Sequence, residues 1–475
     1  MSKQRVIVGF VVLAVALAAV RYLLDDRLER IAIVPVPIWL AIPFALLLAA
    51  IALAPFVNRH WWEGHYPWVS FGLGIAVVIA YIFLVRNAPR LFLTAYEYIS
   101  FITLIGALFV VSGGIHLRIR GKAAPVENVM LLGFGATIAN LLGTTGASMV
   151  LIRPFLRVNR YRIKAYHVVF FIFIVSNMGG ALTPIGDPPL FLGYLKGIPF
   201  FWILHRAWQP WAVAVGLILL VFYAIDSYHF RQETKRQRRA AARPDEPEFA
   251  GLHNVIFLLV ILGAVFLPER PRMLRETLMW GAALASYYTT PQHVHLKNEF
   301  NFLPIKEVAI LFAGIFATMI PALDWLELNS RSLGIVTPGQ YFWVTGVLSS
   351  ILDNAPTYLT FLSAAFGLHA ANVDNLQHLH AMLGTVDLQA SGLASPLAAG
   401  ALAFTEQSWR YVQAVSLGAV FFGATTYIGN GPNFMVKSIA TQAGIDCPSF
   451  VGYLVKYSLP ILIPIFAVVW FLFFR

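Results

Sequence analysis

The residues Gly180–Pro189 read GALTPIGDPP, and Gly423–Pro432 read GATTYIGNGP. Six positions coincide at one constant offset: Gly180/Gly423, Ala181/Ala424, Thr183/Thr426, Ile185/Ile428, Gly186/Gly429 and Pro189/Pro432. Each copy closes a long apolar run. Gly and Pro interrupt helices, so one element is broken twice, once in each half of the chain. Paired, interrupted hydrophobic segments in corresponding places point to the substrate site of a secondary transporter.

The chain around these copies is 59% hydrophobic and 12% charged, with a mean hydropathy of +0.71. A soluble domain carries about 25% charged residues, and a spanning helix needs about 20 mostly apolar ones. The composition therefore describes an all-α polytopic membrane protein and excludes a soluble enzyme. Candidate spans are Val6–Leu24, Ile38–Phe56, Trp68–Val85, Tyr96–His116, Ala165–Leu182, Trp208–Asp226, Leu252–Leu267, Leu274–Tyr288, Ile305–Ala322, Trp409–Tyr427 and Gly452–Phe474, about 11 in all by length and apolarity. Val6–Leu24 reads as a first span; Arg21 interrupts its end, and no small-residue cleavage site follows. The net charge of +11 fits basic cytoplasmic loops better than nucleic-acid binding. Cys447 stands alone, so no intrachain disulfide forms. His293/His295 and His378/His380 read as solvated loop, not as metal ligands. Without a Gly-rich phosphate loop, ATP drive has no support and no cofactor is expected.

Two apolar stretches, 128–152 and 341–366, carry polar centres: GTTGAS (Gly143–Ser148) and LDNAPTY (Leu352–Tyr358). A lipid-facing helix would not carry these, whereas a re-entrant hairpin against a protein-lined cavity can. Charge supports the hairpin reading. With a cytoplasmic N-terminus, Arg118/Arg120/Lys122, Arg153/Arg157/Arg160/Arg162/Lys164 and the run Arg231, Lys235, Arg236, Arg238, Arg239, Arg243 all fall inside. No Lys or Arg lies between Arg331 and Arg410, and that stretch falls outside. Arg270, Arg272 and Arg275 are the exceptions, on an outer loop. The two hairpins thus enter from opposite faces, as an inverted repeat. The expected organisation is a terminal helix over 1–30, a first repeat over 31–230 (hairpin 128–152, broken helix 165–198), a basic linker over 231–251 and a second repeat over 252–475 (hairpin 341–366, broken helix 409–442). The hairpin tips align with Asn140 opposite Ser350 and Ser148 opposite Tyr358, though similarity there is weak.

Ser176–Pro189, SNMGGALTPIGDPP, resembles the signature of bacterial D-type sodium/proton antiporters, and Leu352–Pro356, LDNAP, resembles their second motif. The layout is similar to the ion-transporter superfamily, which also holds citrate-metal carriers, dicarboxylate/sodium symporters and arsenite permeases. The resemblance runs from about Ala95 to Arg475 and is specific over the two motifs alone. It implies eleven spans, two opposed hairpins, an elevator-type motion and, commonly, a homodimer. The dicarboxylate branch has Ser-Asn-Thr hairpin tips, whereas this chain has Gly-Thr-Thr and Asp-Asn-Ala. A citrate-transporter-like family stays compatible.

Asp187 and Asp353 are the sharpest functional candidates, because ionisable groups at membrane depth are costly and usually functional. The alternative is a turn at the outer surface for Asp187 and an ordinary turn for Asp353, since Asp, Asn and Pro all form turns. By analogy with the superfamily, each hairpin tip meets the broken helix of its own repeat. One cluster would then hold Thr144, Thr145, Ser148, Thr183 and Asp187, and the other Asp353, Asn354, Thr357, Thr425, Thr426 and Asn430. Unwound backbone at Gly143, Gly146, Gly186, Gly429 and Gly431 would add ligands. An oxygen-rich set around one carboxylate suits a small hard cation or a proton. Glu97, His116, His167, Asp226, Glu276 and Glu307 lie near span ends, where interfacial positions are the default. The reading put first is a sodium(lithium)/proton antiporter in a bacterial inner membrane, its partners the lipid bilayer and small cations, with no nucleic acid. The alternative is a cation-coupled citrate, carboxylate or oxyanion carrier on the same fold. An intramembrane enzyme is the remote third.

Overall fold

A backbone in hydrocarbon must satisfy its own polar groups, and this chain does so almost wholly in helices. The computed structural model describes residues 34–118, 123–233, 248–267 and 273–475. The expected span Val6–Leu24, the terminal unit 1–30, Arg120, Lys122, Arg270, Arg272 and the linker residues Lys235–Arg243 lie outside the described residues. Apart from two short helices, Gln292–Lys297 and Leu376–Leu383, the helices are α1 (Ile42–Val57), α2 (Arg59–Ala80), α3 (Ala88–Gly113), α4 (Pro125–Val158), α5 (Ala165–Ile174), α6 (Pro188–Leu195), α7 (Trp202–Gln232), α8 (Asn254–Val265), α9 (Leu274–Thr289), α10 (Leu303–Asn329), α11 (Pro338–Ile351), α12 (Asn354–Leu368), α13 (Trp409–Phe422), α14 (Gly431–Gln442) and α15 (Phe450–Phe473). A short antiparallel pair, His116–Arg118 with Glu248–Ala250, gives part of the expected linker a fixed place.

The protein is a polytopic membrane protein. Seven helices among the described residues are long and apolar enough to cross a bilayer; one is the doubled-back α4, and the other six coincide with expected spans, so four expected spans within the described residues are not matched. The difference has physical causes. The runs Ala165–Leu182 and Trp409–Tyr427 stop being helical at Val175 and Gly423. Helices α8 and α9 are short, with 12 and 16 residues.

Helix α4 is continuous by length, but the chain doubles back within it. Gly143 takes φ 72° and ψ 156°, a region essentially reserved for glycine. Asn128 and Asn159 then exchange side-chain hydrogen bonds at 2.9 and 2.8 Å, where a straight helix would hold them about 46 Å apart. The second reversal separates α11 from α12 at Leu352–Asp353. It brings the rings of Tyr341 and Phe361 to 6.3 Å, against about 30 Å along a straight helix.

The helices form two layers. One joins α1, α2, α3, α8, α9 and α10, and the other joins the hairpins α4 and α11–α12, the broken elements α5–α6 and α13–α14, and α7 and α15. Helices α3 and α10 of the first layer pack on α4, α6 and α12 of the second. Position explains burial: the apolar window of α3 is 83% buried, while those of α1, α2, α7 and α15 are 22–28% buried and turn their side chains outward.

Candidate functional site

The two breaks follow one pattern. At the first copy of the decapeptide the helix ends at Val175, a short tight turn follows over Met178–Gly180, and further turns lead to Asp187, the N-cap of α6. In the second, α13 ends, the turn is Gly423–Thr425, and Asn430 is the N-cap of α14. Glycine is required where the loop crosses itself. A Cβ on Gly186 would lie 2.1 Å from the Gly180 carbonyl oxygen, and one on Gly429 would lie 2.7 Å from that of Gly423. These are the glycines that the two sequence copies share.

Each hairpin tip is tied to the break beside it by matched bonds. Thr183 Oγ1 donates to the Asn140 carbonyl at 2.6 Å and accepts from Gly186 N–H at 3.1 Å. Thr426 Oγ1 donates to the Ser350 carbonyl at 2.6 Å and accepts from Gly429 N–H at 3.1 Å. Asn140 and Ser350 are the positions aligned from sequence. The two threonines are thus engaged with backbone.

The side chains do not separate into two clusters. Asp187, 1% exposed, accepts hydrogen bonds from Thr144 Oγ1 at 2.7 Å, from Asn430 Nδ2 at 2.9 Å and from Asn354 Nδ2 at 2.5 Å. Thr144 belongs to the first hairpin, whereas Asn354 and Asn430 belong to the second half of the chain. One carboxylate therefore gathers both halves, which replaces the expectation of one carboxylate per repeat. Asp353 lies one residue outside this centre. It caps α12, accepting from Ala355 N–H at 3.0 Å, and is half-buried; its geometry is that of the turn alternative.

Among the remaining candidates, Ser148 pairs with Ser176 at 2.8 Å. Thr357 and Thr425 donate to nearby carbonyls, those of Asp353 and Phe422. Thr145 and Gly146 line a cavity of about 30 Å³ beside Asp187, with Leu104, Leu108, Phe109 and Phe191 on its walls. Gly146 lets α4 approach Ser112 of α3, whose Oγ a Cβ would meet at 2.5 Å. Gly431 is exposed with open space around it.

Two residues were missed from sequence. Asn177 Nδ2 donates to Asn433 Oδ1 at 2.6 Å and to the Ile172 carbonyl at 2.8 Å. Asn433 in turn donates to the carbonyls of Gly423 and Thr426. Asn177 lies inside the quoted SNMGG motif, but Asn433 has no counterpart in the first copy, where Leu190 stands. The side-chain oxygens of Asn177 and Asn354 are buried with no hydrogen-bond partner. Both side chains reach the Gly423 position, Asn177 Oδ1 at 3.1 Å and Asn354 Nδ2 at 3.5 Å from a Cβ placed there. Orphaned buried acceptors beside a carboxylate fit a cation, which would supply the missing partner.

Four helix N-termini converge on Asp187: α6, at whose N-cap position it stands; α14, through Asn430; α12, through its first residue Asn354; and the second leg of α4, through Thr144. Each carries partial positive charge. No Lys or Arg donates to Asp187 among the described residues.

Several groups expected at interfaces are instead buried in ion pairs. Lys196 donates to Glu97 at 2.8 Å, Arg162 pairs with Asp226, and Arg275 pairs with Glu276 at 2.8 Å. His167 lies 3.2 Å from Asp226. Arg275, expected on an outer loop, is in the first turn of α9. These charges balance one another inside the protein and need no headgroup.

A family model with the description "Putative citrate transport" matches residues 33–474. No curated protein matches the chain.

Proposed function

The chain belongs to this citrate-transport family, and we propose that it is a cation-coupled secondary transporter of citrate or a related carboxylate, with the Asp187 centre as its binding site. The family is one of transporters, so the enzyme alternative falls. The observation that carries the reading is the convergence of four helix N-termini on a carboxylate that no basic side chain neutralises. The helix ends attract a carboxylate group of the substrate. Asp187 and the free oxygens of Asn177 and Asn354 hold the coupling cation or proton. With no Lys or Arg at hand, the anion enters together with positive charge.

In this reading the hairpins are re-entrant and opposed, the halves form an inverted repeat, and the N-terminus is cytoplasmic in a bacterial inner membrane, with a homodimer as the working unit. The basic flanks of the first hairpin and the stretch without Lys or Arg around the second support that topology. The cavity beside Asp187, about 30 Å³, has room for only about two or three waters. A tricarboxylate enters only when the hairpin-bearing layer moves away from α3, which walls the cavity. That motion is the alternating-access step.

The sodium/proton antiporter stands as the second reading. It is favoured by Asp187 itself, a carboxylate held by neutral donors that can exchange a proton for a cation. Calorimetric titration with citrate separates the two. Under the proposal, citrate binds the purified protein, Na⁺ or a divalent cation tightens it, and citrate tightens the cation by the same factor. Cation binding that competes with protons and ignores citrate would select the antiporter.

A further inference from the structure

A second cluster of buried charge lies where the two layers meet, away from the Asp187 centre. Helix α3 contributes Arg90 and Glu97, and α10 contributes Asp324 and Glu327. From the hairpin-bearing layer come Lys196, just after α6, and Asp374, in the loop after α12. Arg90 Nε donates to Asp324 at 3.1 Å, and its Nη1 donates to Asp374. Lys196 Nζ donates to Glu97 at 2.8 Å and to Asp374 at 2.7 Å. Tyr81 donates to Asp324 at 2.9 Å. Both cations are thereby committed to three of the carboxylates.

Glu327 is the fourth. It is 3% exposed, one helical turn from Asp324, and neither of its carboxylate oxygens has a hydrogen-bond partner. Its electrostatic surroundings are Asp374, Arg90, Asp324 and Lys196. Helix α12, packed against the same face, carries no charged side chain, and His369 follows its end. Ser330, one turn further along, also has an unpartnered buried hydroxyl. Among the described residues no group of three His, Cys, Asp or Glu side chains forms a metal shell. A carboxylate ion with no donor and no cation of its own is not sustained at this depth.

We propose that Glu327 is a proton-binding site, separate from the Asp187 centre, that governs the ionic tie between the two layers. With the proton in place, Arg90 and Lys196 serve Asp324, Asp374 and Glu97, and the Arg90–Asp374 and Lys196–Glu97 bridges hold the layers together. When the proton leaves, Glu327 competes for Arg90. The Asp374 bridge loosens, and the hairpin-bearing layer is released from α3 and α10. Proton occupancy at Glu327 is thus coupled to the movement that opens the cavity beside Asp187.

The test is infrared spectroscopy of the purified protein, which needs no substrate and is independent of the transport reading. A protonated carboxyl gives a C=O stretch above the amide band. The wild type is expected to show one that shifts on ¹³C labelling of glutamate carboxyls and fades on alkalinisation. Asp187, if protonated, responds to aspartate labelling instead, so the two sites are told apart. Glu327→Gln is expected to remove the glutamate-sensitive band. Should that variant fail to fold, Glu327→Asp is expected to move the band from the glutamate label to the aspartate label. Absence of a glutamate-sensitive band in the wild type, or its persistence in Glu327→Gln, overturns the proposal.

Discussion

Asp187 and Asp353 look alike in sequence, each an Asp within three residues of a proline, yet only one faces the centre. The choice is made by cap geometry. Asp353 turns to the Ala355 N–H at the start of α12, and so sends the next residue, Asn354, to Asp187. The sequence motif made both positions legible, but not which neighbour points inward, because that depends on a contact across the repeats. Substitution separates them. A hydrogen bond to a charged group is worth about 1.5–3 kcal/mol, so Asp187→Asn should weaken cation-dependent citrate binding about 10- to 100-fold with the protein still folded. Asp353→Asn should leave it within about twofold, since Asn caps a helix as well as Asp. Titration calorimetry on both variants reads the difference, and equal losses would return Asp353 to the site.

At the scale of elements, the hairpin tip depends on Gly143. A side chain there meets both an unfavourable backbone region and the Ile185 carbonyl, 3.2 Å from the Cβ position. Gly143→Ala should cost about 1–3 kcal/mol and displace Thr144 from Asp187, lowering melting temperature and citrate affinity together. Asp374, outside the candidate spans, ties α6 and the loop after α12 to α3. Burial acts to raise its pKa, but Lys196 and Arg90 outweigh burial and hold the carboxyl below its usual range. A depressed carboxylate contributes stability above the unfolded-state pKa and loses it as pH falls through the folded value. Asp374→Asn should therefore cost about 3–5 kcal/mol near neutrality, the scale of an opened buried ion pair, and less on acidification. Thermal melts in detergent across pH should show the two proteins converging toward acid. The network itself was hidden from sequence: Arg90, Lys196, Asp324, Glu327 and Asp374 are scattered along the chain, and only folding brings them together.

Across the whole molecule, the repeated decapeptide located both helix breaks, and the polar centres of 128–152 and 341–366 located both reversals, because glycine and proline act locally on the backbone. The division into two layers was not legible, since helix packing leaves no comparable local mark. Orientation in the bilayer is open to a direct check. In a Cys447→Ser background, a cysteine near Arg157 should label from the cytoplasm and one near Asn375 from the other face; labelling from a single side would end the inverted arrangement. The central claim concerns cargo, and a fold of this kind sets the machinery without naming the cargo. Its most direct test is uptake of labelled citrate into proteoliposomes holding the purified protein, with inward gradients of Na⁺, Mg²⁺ or H⁺ applied singly. The account predicts citrate accumulation that requires at least one of these gradients and is lost in Asp187→Asn. No citrate accumulation, together with Na⁺-driven collapse of a pH gradient in its absence, would contradict it.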